Sequence, residues 1–162
     1  MEYRNYRNTD LKTSLLGFGC MRFPKVEGGD GKTSDLALSE RMVDLAYAQG
    51  VNYFDTAYVY GDSERTIGKI LKKYPRESFY LTSKMPNFMC KTKEDVQRIF
   101  QESLDNCGVE YFDFYLCHNI NGNNIDLYTG ENDIIPFLEQ MKAEGKIRYL
   151  GFSSHGTPEQ LQ

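Results

Sequence analysis

The sequence contains few of the residues that build metal centres. Only two histidines occur, His118 and His155, and they do not form an H-x-H pair. The four cysteines, at positions 20, 90, 107 and 117, include no C-x-x-C pair. Zinc and iron–sulfur sites depend on such closely spaced ligands, so we expect no metal site. Three of the four cysteines lie in or beside apolar stretches, which is typical of reduced, packed thiols in a reducing compartment.

The sequence also lacks the features of nucleic-acid and membrane proteins. The net charge is −4, and no run of basic residues with interleaved aromatics occurs, which argues against a nucleic-acid surface. No segment reaches the roughly 18 apolar residues that a membrane-spanning helix needs. The first residues, MEYRNYRNTDLKTS, are polar from the start, unlike a secretory signal. We therefore predict a cytoplasmic protein with neither a nucleic-acid nor a membrane partner.

What the chain does contain is a regular alternation of apolar runs and helical patterns. Five apolar runs predict β-strands, at residues 15–20, 51–57, 79–83, 111–117 and 147–152. Helical patterns follow each of the first four runs, and Thr157-Pro158 marks a further helix start. This βα repeat predicts a parallel sheet, either a doubly wound layer or a closed barrel. Residues 3–14 alternate around a turn-forming Asn-Thr-Asp segment, which predicts a β-hairpin ahead of the first strand.

The first predicted helix opens at Ser34 and ends before Gly50. Its apolar residues recur at helical spacing, which predicts an apolar stripe made of Leu36, Leu38, Met42, Val43, Leu45 and Ala46.

Titratable and hydroxyl side chains recur where four successive predicted strands end. They are Asp55 and Tyr60, then Lys84, then His118, and finally Ser153 and Ser154. Both parallel architectures gather functional groups at the carboxyl ends of their strands. Taken singly, each residue has a structural explanation: a helix cap for the aspartate and the serines, a turn contact for the tyrosine, a solvated lysine, a packed histidine. Their recurrence at four strand ends favours one shared site.

These residue types together suit proton transfer to a carbonyl oxygen. A free phenol has a pKa near 10, too high for efficient proton donation at neutral pH. A neighbouring ammonium stabilises the phenolate, and a carboxylate holds that ammonium in place. An imidazole can orient the substrate oxygen by a hydrogen bond. Such a set fits a reaction in which a bound nicotinamide delivers hydride to a carbonyl carbon.

Five segments resemble the aldo-keto reductase family in order and spacing. Residues 50–64 (GVNYFDTAYVYGDSE) resemble the signature around the family's catalytic aspartate and tyrosine. Residues 81–84 (LTSK) and 103–118 (SLDNCGVEYFDFYLCH) resemble the segments that end in its lysine and histidine. Residues 145–154 (GKIRYLGFSS) resemble the segment that holds the nicotinamide carboxamide, and residues 15–22 (LLGFGCMR) resemble the first strand. The resemblance covers nearly the whole chain.

The resemblance implies a role for each matched residue. Tyr60 is the expected general acid, Lys84 its neighbouring ammonium, Asp55 the partner of the lysine, and His118 the group that orients the carbonyl. Tyr58, two residues earlier, is not expected to take part. The implied cofactor is NADP, with NAD as the alternative, contacted by Gly19, Cys20, Met21, Asp55, Ser153 and Ser154. The implied activity is reduction of a small aldehyde or ketone.

The resemblance also implies a TIM (β/α)8 barrel, of which residues 1–162 would form the N-terminal half, about five βα units, with no second domain. A complete barrel needs about 250 residues, so we expect a truncated barrel with impaired activity. The start resembles a subgroup whose longer members carry a C-terminal ferredoxin-like region. Two alternatives stay open: a non-catalytic cofactor-binding or regulatory module, and a half barrel that self-associates through its unpaired strand edges.

Overall fold

The computed structural model describes residues 1–130 and 132–161. The chain opens with an antiparallel hairpin of β1 (Tyr3–Asn5) and β2 (Lys12–Ser14), as predicted. The Tyr6 ring in the turn packs edge-on against Phe114 and Tyr149, with ring centroids 5.0 and 5.5 Å apart. The hairpin therefore covers a layer of aromatic side chains on the main sheet.

The main sheet has five parallel strands that lie side by side in chain order. They are β3 (Phe18–Gly19), β4 (Tyr53–Asp55), β5 (Tyr80–Met85), β6 (Phe112–Cys117) and β7 (Ile147–Phe152). A doubly wound sheet reverses its strand order at a switch point, and this sheet does not. The strand order is that of a barrel, which decides between the two parallel architectures. The first strand is shorter than predicted, with only two residues in the ladder.

In the part of the chain that the structure describes, six α-helices lie between and after these strands. They are α1 (Leu36–Ala48), α2 (Ser63–Leu71), α3 (Lys93–Cys107), α4 (Ile125–Thr129), α5 (Ile134–Ala143) and α6 (Pro158–Leu161). Helix α3 begins at a capping box of Thr92 and Asp95 and ends at Gly108, whose φ of 63° closes the helix in the left-handed region. The short α4 has no counterpart in the sequence prediction. Within the described residues no helix combines the length and apolarity that crossing a bilayer would require.

The apolar stripe predicted for α1 is buried only in part. Val43 is fully buried, but Leu36, Met42 and Leu45 are 42%, 41% and 65% exposed. A helical period locates an apolar face but cannot show what covers it. Among the described residues, α1 packs mainly against α2, and much of its predicted stripe remains open to solvent.

Candidate active site

Strand register places the predicted site residues on one face of the sheet. Side chains alternate between the two faces of a strand, so register decides which residues point the same way. The ladder aligns Asp55 with Thr82, and Thr82 with Phe114. Lys84 lies two residues after Thr82 along the chain, and His118 lies four residues after Phe114. The aspartate, the lysine and the histidine therefore share the face that carries the aromatic layer, at the carboxyl end of the strands.

Lys84 is the centre of the cluster. It is only 5% exposed, and a buried ammonium requires partners. Its Nζ donates to Oδ1 of Asp55 at 2.5 Å and to the carbonyl oxygen of Thr56 at 2.8 Å. The same Nζ lies 4.9 Å from the centroid of the Tyr60 ring. The ammonium is thus held between a carboxylate and a phenol, and the phenol lies at the distance of a cation–π contact.

Tyr60 reaches the cluster from the turn after β4. Its N–H donates to the carbonyl of Ala57 at 3.0 Å, and Gly61 follows with a φ of 65°, a conformation that favours glycine. The Tyr60 ring meets the His118 ring edge to face, with centroids 5.6 Å apart and planes at 82°. The four residues predicted for proton transfer are therefore brought together.

Tyr58 points to a different part of the molecule. Its hydroxyl donates to Oε2 of Glu102 on α3 at 2.5 Å, among the helices outside the sheet. Two effects raise the pKa of the Tyr58 hydroxyl above its usual value. The larger is the hydrogen bond to the Glu102 carboxylate, and the smaller is partial burial. A phenol that is harder to ionise and directed away from Lys84 is unsuited to proton transfer at this site. The direction of the side chain therefore distinguishes Tyr58 from Tyr60.

His118 lies at the end of β6 and is half-buried. Its backbone N–H donates to the carbonyl of Met85 at 3.0 Å. Burial, and then the nearby Lys84 charge, lower the pKa of the His118 imidazole below its usual 6.5, so the ring is neutral at pH 7. Its Nδ1 is buried and has no hydrogen-bond partner among the described residues. A neutral imidazole can donate to a carbonyl oxygen without adding a second positive charge beside the lysine.

The residues predicted to touch a cofactor differ in orientation and in exposure. Gly19 pairs with Asp55 in the ladder and so faces the site, and a Cβ added there would meet no atom within 4 Å. Met21 is exposed. Cys20 is fully buried: its N–H donates to the carbonyl of Asp55, and its own carbonyl accepts from Ser63. The Cys20 side chain therefore offers no exposed surface to a cofactor, because alternation turns it towards the helices.

The two serines after β7 are already bonded to a neighbouring loop. Oγ of Ser153 accepts from the N–H of Asn119 at 2.9 Å. Oγ of Ser154 donates to the carbonyl of Ile120 at 2.5 Å and accepts from the N–H of Gly156. Both hydroxyls thus help to shape the loop that follows His118. The Ser153 hydroxyl keeps its own proton available for an external acceptor.

The sequence prediction missed one direct contact of the cluster, the Thr56 carbonyl that binds Lys84. Every residue has a backbone carbonyl, so residue type carries no signal for such a role. An open cavity of about 670 Å³ lies next to the cluster. Its lining includes Met21, Val59 and Tyr60, and its charged residues are of both signs: Lys25, Lys32, Arg65, Asp30 and Asp62.

A barrel-type βα chain with polar side chains converging at the strand ends is a common enzyme scaffold. The sequence profile of the Aldo/keto reductase family matches residues 15–162, and the chain belongs to this family. It is 32% identical to the L-galactose dehydrogenase of Arabidopsis thaliana over 160 residues, covering 94% of this chain and 48% of that protein. It is also 32% identical to the probable aldo-keto reductase 1 of Glycine max, covering 88% of this chain and 42% of that protein.

Solved structures agree with the family assignment. The holo form of the aldo-keto reductase AKR11C1 from Bacillus halodurans superposes with a TM-score of 0.76 at 29% identity, covering 96% of this chain and 51% of that chain. The chain thus spans about half the length of the relatives it matches. The predicted family and barrel type are confirmed.

Proposed function

We propose that the protein is an oxidoreductase that reduces an aldehyde or ketone to an alcohol, with NADPH (or NADH) as the hydride source. The observation that supports this best is the Lys84 ammonium held between Asp55 and the Tyr60 ring. A phenol beside a fixed positive charge, on the sheet face that also carries a neutral histidine, is suited to protonate a carbonyl oxygen. The family assignment supports the same reaction class.

In the proposed reaction, the substrate carbonyl lies against Tyr60 and His118. His118 donates a hydrogen bond that orients the oxygen. As the carbonyl carbon gains hydride, its oxygen takes the phenol proton of Tyr60, which leaves the alcohol and a Tyr60 phenolate. Lys84 stabilises the phenolate by its charge, and Asp55 keeps the ammonium in place. Solvent then restores the proton to Tyr60.

The residues that would hold the nicotinamide surround this cluster. The open space above Gly19 allows close approach of a flat ring, and Met21 is exposed beside it. Asp55, Ser153 and Ser154 complete the proposed set. Cys20 is left out because it is buried. The groups present fit a nicotinamide, since the cluster offers a proton donor, a neutral imidazole and an approachable backbone on one side of the sheet.

We expect the 162-residue chain by itself to bind NADPH weakly and to oxidise it slowly with a generic aldehyde. Five strands supply the proton-transfer cluster but not the loops that later strands of a barrel contribute to a ligand site. Each missing charge-assisted hydrogen bond would cost about 1.5–3 kcal/mol of affinity. NADPH fluorescence titration and absorbance at 340 nm measure the two quantities.

A chimera that joins this chain to the second half of the Bacillus halodurans relative provides the complementary test. We expect the folded chimera to reduce aldehydes far faster than the chain alone. Rapid turnover by the chain alone would contradict the expected impairment. A folded chimera that binds NADPH but never turns it over would instead favour a non-catalytic, cofactor-binding or regulatory role.

We also propose that the chain, taken alone, associates with a second copy of itself. Among residues 1–130 and 132–161, strands β3 and β7 each have a neighbour on one side only, and unpaired edges favour pairing with another chain. Exposed apolar side chains lie beside both edges, with Leu16 63%, Leu15 57% and Phe152 57% exposed. We expect light scattering at micromolar concentration to give a mass above 18.7 kDa. A sharp monomer peak across the concentration range would contradict this proposal.

A further inference from the structure

Tyr128 on the short helix α4 makes contacts that the proposed reaction has not used. It is fully buried and is among the largest side chains in the core. Its hydroxyl lies 2.6 Å from the carbonyl oxygen of His118 and 2.9 Å from the carbonyl oxygen of Met85. The N–H of Asn87 lies 3.4 Å from the same hydroxyl. One phenol therefore joins the ends of β5 and β6.

The hydroxyl lies where the backbone ladder between these strands stops. The last paired residues of β5 and β6 are Met85 and Cys117, and the His118 N–H then donates to the Met85 carbonyl at 3.0 Å. Tyr128 adds a side-chain bridge at this point. Its single proton can serve only one carbonyl fully, and the His118 carbonyl is the nearer. Burial raises the pKa of Tyr128 far above its usual value, so the hydroxyl stays a donor at physiological pH.

One bridged carbonyl belongs to His118, whose imidazole is part of the proton-transfer cluster. The other belongs to Met85, which follows Lys84 in β5. A shift of either strand end would change where the ammonium or the imidazole lies relative to Tyr60. A displacement of about 1 Å is enough to impair a catalytic arrangement severely. The buried bridge opposes such a displacement because breaking it would leave polar groups without partners.

We propose that Tyr128 is a positioning residue, which holds the ends of β5 and β6 so that Lys84 and His118 keep their places beside Tyr60. The inference rests on the proposed function for the roles of those residues, but the bridge itself is a structural feature. Tyr128 does not face the substrate and is not itself a catalytic residue.

The test replaces Tyr128 by phenylalanine, which keeps the ring and removes only the hydroxyl. The readout is the pKa of the His118 imidazole, followed by nitrogen-detected NMR. Only two histidines are present, so few imidazole signals need assignment. We expect the pKa of His118 to rise towards its ordinary value as the ring becomes more mobile and better hydrated.

Tyr115→Phe is the matched control. Tyr115 lies on β6, three residues before His118, and is fully buried like Tyr128. Its hydroxyl has no hydrogen-bond partner within 3.5 Å among the described residues, and Ser103 is a polar side chain close to it. The same chemical change there should leave the pKa of His118 where it is. No rise in Tyr128→Phe, or an equal rise in both variants, would overturn the proposal, since the second result would indicate general loosening of the core.

A measurement on the unsubstituted chain covers the case in which Tyr128→Phe does not fold. A bridging hydroxyl proton exchanges slowly with solvent and lies close to the protons of Asn87 and His118. We expect a resolved Tyr128 hydroxyl resonance with NOEs to both residues, and fast exchange without such NOEs would refute the bridge. Neither experiment depends on turnover. A chain without reductase activity would refute the proposed function and leave these results to decide the role of Tyr128 separately.

Discussion

Replacing Tyr60 by phenylalanine is expected to lower kcat for carbonyl reduction about 10²- to 10⁴-fold, the usual contribution of a positioned general acid. The ring would still pack against His118, so the cluster should keep its shape. The carbonyl oxygen would lose its proton donor at the moment when negative charge develops on it. Because the loss falls on the transition state, kcat should fall with little change in KM. Steady-state kinetics on the active chimera measure both constants.

Tyr58→Phe is the control for that experiment. It removes one hydroxyl two residues away, and with it only the hydrogen bond to Glu102. We expect its kcat to stay within about twofold of the unsubstituted value, because the ring is kept and the lost hydroxyl points away from the proton-transfer cluster. A large loss in Tyr58→Phe together with near-normal turnover in Tyr60→Phe would reverse the assignment of the general acid.

Replacing Asp113 by alanine is expected to destabilise the chain by about 3–5 kcal/mol, because it removes two charge-assisted hydrogen bonds of about 1.5–3 kcal/mol each. The Asp113 side chain is fully buried. Its oxygens accept from Arg76 at 2.7 Å, from Arg148 at 2.9 Å and from the N–H of Leu81 at 2.9 Å. Alanine would leave all three donors without this acceptor. A loss of that size is a large share of the ~5–15 kcal/mol that stabilises a typical domain.

Urea unfolding followed by circular dichroism measures this loss, and Arg148→Gln is its control. The Arg148 side chain is 45% exposed, so water can replace much of its interaction, and we expect a loss below about 1 kcal/mol. Asp113 would retain its bonds to Arg76 and Leu81. Equal losses in the two variants would show that burial of the carboxylate is not what makes the contact important.

The regular elements were well anticipated because their signals are local. Residues 93–106 carry apolar side chains at helical spacing and are followed by Gly108, and α3 spans Lys93–Cys107. The predicted limits of β7, residues 147–152, match Ile147–Phe152 because an apolar run follows a glycine. Helix α4 has no clear sequence signal, since five residues between Asn124 and Gly130 are too few to show a helical period.

The sequence by itself determined which residue types stand at the strand ends, and their order carried the resemblance to a known family. It could not show that Lys84 lies between Asp55 and Tyr60, or that Tyr58 points to Glu102. Nor could it show that Cys20 is buried beside the exposed Met21. Those outcomes depend on strand register and on which turn conformation the loop after β4 adopts. Register relates strands that lie about 30 residues apart in the chain. It is therefore fixed only when the strands pair, and the pairing determines which side of each strand faces the site.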